Sequence, residues 1–108
     1  MTVTKRSSGS DLLVTLAGPA RIQDMVDAAD EFRQVFATPE PLVTVDLSGI
    51  ETADVTFFQA LLALQKSLAQ TNRHLLVRKL PADHAVVEAS SLLGIRLDHH
   101  FSQVGDSE

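Results

Sequence analysis

The 108-residue sequence contains no cysteine, no tryptophan and no tyrosine. Without cysteine, the chain can form no disulfide, no thiolate nucleophile and no cysteine metal site. No apolar run approaches the roughly 18 residues that a membrane helix needs. The segment Met1–Arg6 lacks the apolar core of a signal peptide. We therefore expect a cytoplasmic protein with no direct membrane insertion.

Positive charge is also scarce. Nine Lys and Arg stand against 14 Asp and Glu, which gives a formal net charge of −5. An acidic chain is a poor match for a nucleic-acid backbone, and only five Phe are present for bases to stack on. We therefore expect no nucleic-acid partner.

Apolar residues, in contrast, are plentiful, and their spacing predicts strands that alternate with helices. They make up 44% of a chain whose length predicts a single domain with one core. Residues 2–6 and 11–17 are typical of a hairpin, and Leu42–Leu47 of a strand buried on both faces of a sheet. The spacing also predicts helices over 21–36 and 56–70 and strands over 74–79 and 95–101. A third helix is predicted between these two strands, with Asp83 as its cap and Gly94 as its stop.

This order of elements predicts an α/β fold. Strands that alternate with helices favour a mixed, largely parallel sheet with helices packed on it. We expect the domain to span residues 1–104 and residues 105–108 to form a flexible tail.

The entrance of the second predicted helix supports two interpretations. Thr56-x-x-Gln59 matches a capping box, in which the Thr hydroxyl accepts from the Gln59 amide and the Gln side chain reaches back. Asp54 fits the same interpretation, because a carboxylate is favoured near a helix N-terminus. The alternative is that Thr56 is phosphorylated, since a helix N-terminus also accepts a phosphate well.

The same helix carries more apolar residues than one core needs. At about 100° per residue, its apolar arc spans roughly 200°, about twice the stripe of an ordinary surface helix. Phe57, Ala60 and Leu64 lie along one edge of the arc. Either the helix is packed deeply between a sheet and a neighbouring helix, or this edge is a partner-binding patch beside Thr56.

Two segments carry a family resemblance, VTVDLSGIETADVTFFQALLAL from Val43 and HLLVRKLPADHAVVEASSLLGI from His74. In order and spacing they resemble the STAS domain of anti-sigma factor antagonists and of sulfate transporters. The resemblance extends over almost the whole chain. It implies a small α/β fold with a central mixed β-sheet and helices mainly on one side, a role in switching partners, and no catalysis.

The resemblance also implies where such a switch lies. In the antagonists, a Ser or Thr that begins the second helix is phosphorylated by a partner kinase, which is itself the anti-sigma factor. Carried onto this sequence, the phosphorylation candidate is Thr56, while Asp46 matches the end of the preceding strand. The expected partner-binding residues are Ser48, Gly49, Asp54, Val55, Thr56, Phe57 and Ala60.

One departure from the family pattern widens the choice of partners. The common pattern is Asp-Ser-Ser-Gly, whereas this chain has Asp54-Val55-Thr56-Phe57, with a bulky ring where a kinase would meet Gly. A histidine kinase or response-regulator pathway of the chemotaxis type fits this change at least as well. A third possibility is a STAS subunit of a membrane-lipid or other ABC transporter, which would dock on the ATPase. A homodimer through the helix edge or through an edge strand at Thr2–Arg6 also stays open.

No residue pattern predicts an enzyme, a cofactor or a metal site. The sequence offers no set of nucleophile, base and orienting group. His99 and His100 are adjacent, and neighbouring strand residues point to opposite faces, so the pair is poorly placed to share one ion.

Overall fold

The chain alternates strands and helices, as the apolar spacing predicts. The computed structural model describes residues 2–97 and 101–104. In chain order the elements are β1 (Thr2–Ser8), β2 (Asp11–Ala20), a short 3-10 turn (Ile22–Asp24), α1 (Met25–Phe36), β3 (Leu42–Ala53), α2 (Val55–Gln70), β4 (His74–Arg78), α3 (Ala85–Leu92) and β5 (Ser102–Val104).

The strands of the described residues form one sheet in the order β1-β2-β3-β4-β5. β1 and β2 form the predicted antiparallel hairpin, and the other neighbouring pairs are parallel. Gly9 in the hairpin turn has a φ of 64°, which glycine adopts without strain. From β2 to β5, each strand is followed in the chain by its parallel neighbour in the sheet, always on the same side. Right-handed crossovers therefore place α1, α2 and α3 on one face.

The core lies between that face and the helices. In the regular part of β2, β3 and β4, buried side chains alternate with half-buried ones, as expected for a sheet covered on one side. The prediction that Leu42–Leu47 is buried on both faces is therefore wrong, since Thr44 and Asp46 are only half-buried. The strand residues facing the helices are Leu12, Val14, Leu16, Val43, Val45, Leu47, Leu75 and Val77.

Deep packing accounts for most of the wide apolar arc of α2. This helix contacts both α1 and β4. Phe57 and Phe58 are both 0% exposed, and their rings meet edge to face with centroids 5.4 Å apart. Because adjacent helix residues point about 100° apart, burying both rings requires cover on two sides of the helix. The remaining inward side chains are Leu61, Leu64 and Leu68.

Two strand boundaries differ from the sequence-based prediction. β3 continues to Ala53, because Gly18–Ala20 of β2 keeps pairing with it past a register shift. The last strand is β5, beside β4, and not residues 95–101, of which 95–97 are not in a strand. Residues 98–100 and the expected flexible tail at 105–108 lie outside the described residues.

The third helix is capped by His84 and not by Asp83. The Nδ1 atom of His84 accepts from the Val86 amide at 3.1 Å. At the other end, Gly94 follows the helix with a φ of 74°, so its predicted role as the stop is confirmed.

Candidate functional site

The predicted partner-binding residues belong to one run of chain at the carboxyl end of the parallel strands. Ser48 and Gly49 lie in the exposed part of β3. The Asp54 amide donates to the Ala20 carbonyl at 3.2 Å, which fixes the end of β3 to the end of β2 just before α2 begins. We call Ser48, Gly49, Asp54, Val55, Thr56 and Ala60 the candidate surface.

Asp54 is the N-cap of α2. Its backbone is extended, with φ −118° and ψ −176°, and its Oδ1 accepts from the amides of Thr56 at 3.1 Å and Phe57 at 3.4 Å. The predicted capping box between Thr56 and Gln59 is therefore wrong. Thr56 lies inside the first turn, because the helix already begins at Val55. An Asp at the N-cap satisfies unpaired amides and complements the helix dipole.

The Thr56 hydroxyl is held by the same carboxylate. Its Oγ1 donates to Asp54 Oδ1, and the residue is half-buried beside Val55, which is 45% exposed. A phosphate on Thr56 would remove the donated proton and set nearly two negative charges beside the carboxylate. Modification here would therefore change the charge and the hydrogen bonding at the start of α2.

Phe57 does not lie on this surface. Its ring is 0% exposed and belongs to the main core cluster. The expectation that Phe57 contacts a partner, or obstructs a kinase, does not agree with this position. In the first turn of α2, Val55 points outward while Phe57 and Phe58 point inward. The candidate surface is therefore formed without the phenylalanine ring.

Gly49 is required by the close approach of two strands. A Cβ at this position would lie 2.9 Å from the Cβ of Ala17 and 3.2 Å from the Leu16 carbonyl oxygen. Non-bonded carbon atoms normally stay about 3.5–4 Å apart. The contact coincides with the shift in register between β2 and β3, where glycine allows one backbone to approach another.

Gly49→Ala should destabilise the domain by about 1–3 kcal/mol, since the new methyl group forces the two strands apart. The measurement is urea unfolding followed by circular dichroism. Glu51→Ala, at an exposed position of the same strand, serves as the control and should change stability by less than about 0.5 kcal/mol. Equal unfolding midpoints for the two variants would contradict the close approach.

A polar network supports the part of β3 that contains Ser48. Asp46 accepts from the Ser48 amide at 2.9 Å through Oδ1 and from the Arg78 guanidinium at 3.2 Å through Oδ2. Burial raises the pKa of Asp46, but hydrogen bonds from Ser48 and the charge and hydrogen bond of Arg78 together outweigh it and hold that pKa below its ordinary value. His84 Nε2 lies 2.9 Å from the Ser48 carbonyl oxygen. Arg78 and His84 were not among the residues predicted from the sequence.

Asp54→Ala should cost about 1–2 kcal/mol of stability, because the first amides of α2 lose their acceptor. Asp54→Asn should retain most of that stability, since an amide oxygen can also cap a helix. Thermal unfolding of the three proteins measures the difference. If Asp54→Asn were as unstable as Asp54→Ala, capping by this side chain would not explain its contribution.

The sequence as a whole matches the family described as Mlab, STAS domain, over residues 3–97. The chain belongs to the STAS domain family. Two solved structures share the fold of this STAS domain. An anti-sigma factor antagonist from Mycobacterium paratuberculosis has 20% identity and a TM-score of 0.79, covering 94% of this chain and 83% of that chain. A serine-to-glutamate variant of RsbS from Moorella thermoacetica has 12% identity and a TM-score of 0.70, covering 99% and 89%.

These matches confirm the expected family and the α/β fold with a mixed sheet and helices on one side. Among curated proteins, none matches the chain.

A shallow apolar groove continues from the candidate surface of the STAS domain. Ala60 lies one helical turn beyond Thr56 and is half-buried at the edge of this groove. The groove runs between α1 and α2 and encloses about 290 Å³. Its other lining residues are Ala29, Phe32, Arg33, Ala63, Leu64 and Ser67.

The described part of the STAS domain contains neither a cluster of metal-ligating side chains nor a membrane-spanning helix. Across residues 2–97 and 101–104, no three His, Asp or Glu side chains come together in a way that could hold a metal ion. His99 and His100 lie outside these residues. Within the same residues, no helix combines the length and apolar character needed to cross a membrane.

Proposed function

We propose that this STAS domain is a non-enzymatic regulatory module that binds a protein partner reversibly through the candidate surface. Phosphorylation of Thr56 would control the binding. The observation that carries the proposal is the Thr56 hydroxyl, which Asp54 holds at the start of α2 beside the exposed Val55. A modified hydroxyl at this place changes charge on the surface while the rings behind it stay buried.

The proposed partner is an anti-sigma factor that is also a serine/threonine kinase. One support is the shared fold with a protein named as an anti-sigma factor antagonist. A second support is the chemistry of the helix start, where the helix dipole favours an added negative charge. A histidine kinase of a chemotaxis-type pathway would use the same surface. In each case the domain acts in the cytoplasm and switches between bound and released states.

Phosphorylation would weaken partner binding through charge. Asp54 and the exposed Glu51 already contribute two negative charges at this end of the domain. A phosphate adds nearly two further negative charges, and like charges brought together on binding cost several kcal/mol. A partner selected for the neutral hydroxyl would therefore be released.

A second candidate function is docking on the ATPase of an ABC lipid transporter. The observation that favours it is the exposed Val55 together with the apolar groove that contains Ala60. Such a surface can bind a partner through apolar contacts with no phosphate involved. In this case Thr56 would remain unmodified, and no kinase would be needed.

Affinity capture from the native host separates these functions. The baits are the wild type, Thr56→Ala and Thr56→Glu, with Ser8→Glu as a control at the opposite end of the sheet. We expect a protein that the wild type and Ser8→Glu recover and that Thr56→Glu loses. A kinase or anti-sigma factor supports the first candidate, and a membrane ATPase supports the second. Equal recovery of the same proteins by all baits would show that Thr56 is not a switch.

A further inference from the structure

His84 joins the first turn of α3 to the Ser48 part of the candidate surface. Its Nδ1 is 3.1 Å from the Val86 amide, and its Nε2 is 2.9 Å from the Ser48 carbonyl oxygen. A carbonyl only accepts, so Nε2 must carry a proton. An amide only donates, so Nδ1 must carry none. A single form of the ring, neutral with its proton on Nε2, makes both hydrogen bonds.

A second proton on the ring would break one of these bonds and keep the other. Both nitrogens of a charged imidazole are donors, so Nδ1 would face the Val86 amide donor to donor. The added charge would also lie at the N-terminus of α3, where the helix dipole disfavours a cation. The bond to Ser48 would persist and become charge-assisted. Protonation would therefore release α3 and leave Ser48 bound.

The first turn of α3 depends on this cap. The helix has eight residues, and its buried residues are Val86 and Ser90. Helices this short are not stable alone in water, so capping and the packing of Val86 hold the first turn in place. Loss of the cap would open the turn locally while the sheet behind it stays folded.

Both hydrogen-bond partners of the ring, the Ser48 carbonyl and the Val86 amide, are uncharged. The charged side chains of the adjoining elements are Asp46 and Glu51 on β3, Arg78 on β4, Lys79 and Asp83 in the loop before α3, and Glu88 within α3. Of these, Asp46 and Arg78 bond to each other at 3.2 Å. Within the described residues no carboxylate bonds to the His84 ring.

We propose that His84 is a pH-sensitive link between α3 and the Ser48 part of the candidate surface. At neutral pH the ring holds both, and in mildly acidic solution it releases the first turn of α3. Histidine is the side chain that ordinarily gains its proton between pH 8 and pH 5. The link is a property of the fold and does not depend on the proposed function. A partner that docks at Ser48 would meet a different neighbouring surface in each state.

Amide hydrogen exchange by NMR on the full chain tests this link. The readout is the protection factor of the Val86 amide at pH 8 and pH 5, with the Val77 amide in β4 as a reference for global unfolding. In the wild type we expect Val86 protection to fall about fivefold to tenfold at pH 5 relative to Val77. In His84→Asn it should stay constant, because an asparagine cap does not titrate. His74→Gln removes an exposed histidine at the start of β4 and should behave like the wild type.

Two results would overturn the proposal. One is Val86 protection that does not change with pH in the wild type, or that falls equally in His84→Asn. The other is a set of ring nitrogen chemical shifts that places a proton on Nδ1 of His84 at pH 8. The ring shifts do not require any variant to fold, so the link can be refuted on the wild type alone.

Discussion

Phe57→Ala should destabilise the domain by about 3–5 kcal/mol. The ring is 0% exposed and is among the largest fully buried side chains in the described residues. Its removal leaves a cavity in the core cluster and deletes the edge-to-face contact with Phe58. Aromatic pairs of this kind add about 0.5–1.5 kcal/mol beyond area burial. Because domains are typically stable by only about 5–15 kcal/mol, the loss should be visible at once.

Urea unfolding followed by circular dichroism measures this loss. The matched control is Val55→Ala in the same helical turn, where the side chain is 45% exposed and the change should stay within about 0.5 kcal/mol. Phe57→Gly, which restores the common family residue, should be less stable still, because glycine weakens a helix by about 1 kcal/mol relative to alanine. A Phe57→Ala protein as stable as the Val55→Ala control would show that the ring is not part of the core.

Thr56→Glu should weaken partner binding by about tenfold to a hundredfold, which corresponds to about 1.4–2.7 kcal/mol. The glutamate cannot donate to Asp54 as the hydroxyl does, and it adds a like charge beside that carboxylate. The fold should persist, because a negative charge near a helix N-terminus is favourable. We expect the free energy of unfolding to change by less than about 1 kcal/mol, so reduced binding would reflect the surface and not unfolding.

The regular elements could be predicted because their signals are local. Short apolar runs mark β2 and β4, and apolar spacings of three and four mark α1 and α2. Thr56 could be placed at the start of α2 by the same local pattern. Phe57 lies on the apolar arc of α2, which agrees with its burial. The glycine that the common family pattern has at this position instead suggested a ring in contact with a partner.

Boundaries and supporting contacts could not be predicted, because they depend on residues far apart in the chain. β3 reaches Ala53 because Gly18–Ala20 pairs with it, and only then does Asp54 fall at the N-cap. His84 reaches Ser48 across 36 positions. Arg73, whose guanidinium donates to the Phe36 and Glu40 carbonyls at 2.8 and 2.7 Å, shows no sign of this role in the sequence.

The dissociation constants of the captured partner test the role of Thr56 most directly. Calorimetric titration should compare the wild type with Thr56→Glu and with Ser8→Glu, which adds the same charge at the far end of the sheet. We predict wild-type affinity for Ser8→Glu and a loss of about tenfold or more for Thr56→Glu. Equal affinity of Thr56→Glu and the wild type would contradict a partner switch at the start of α2.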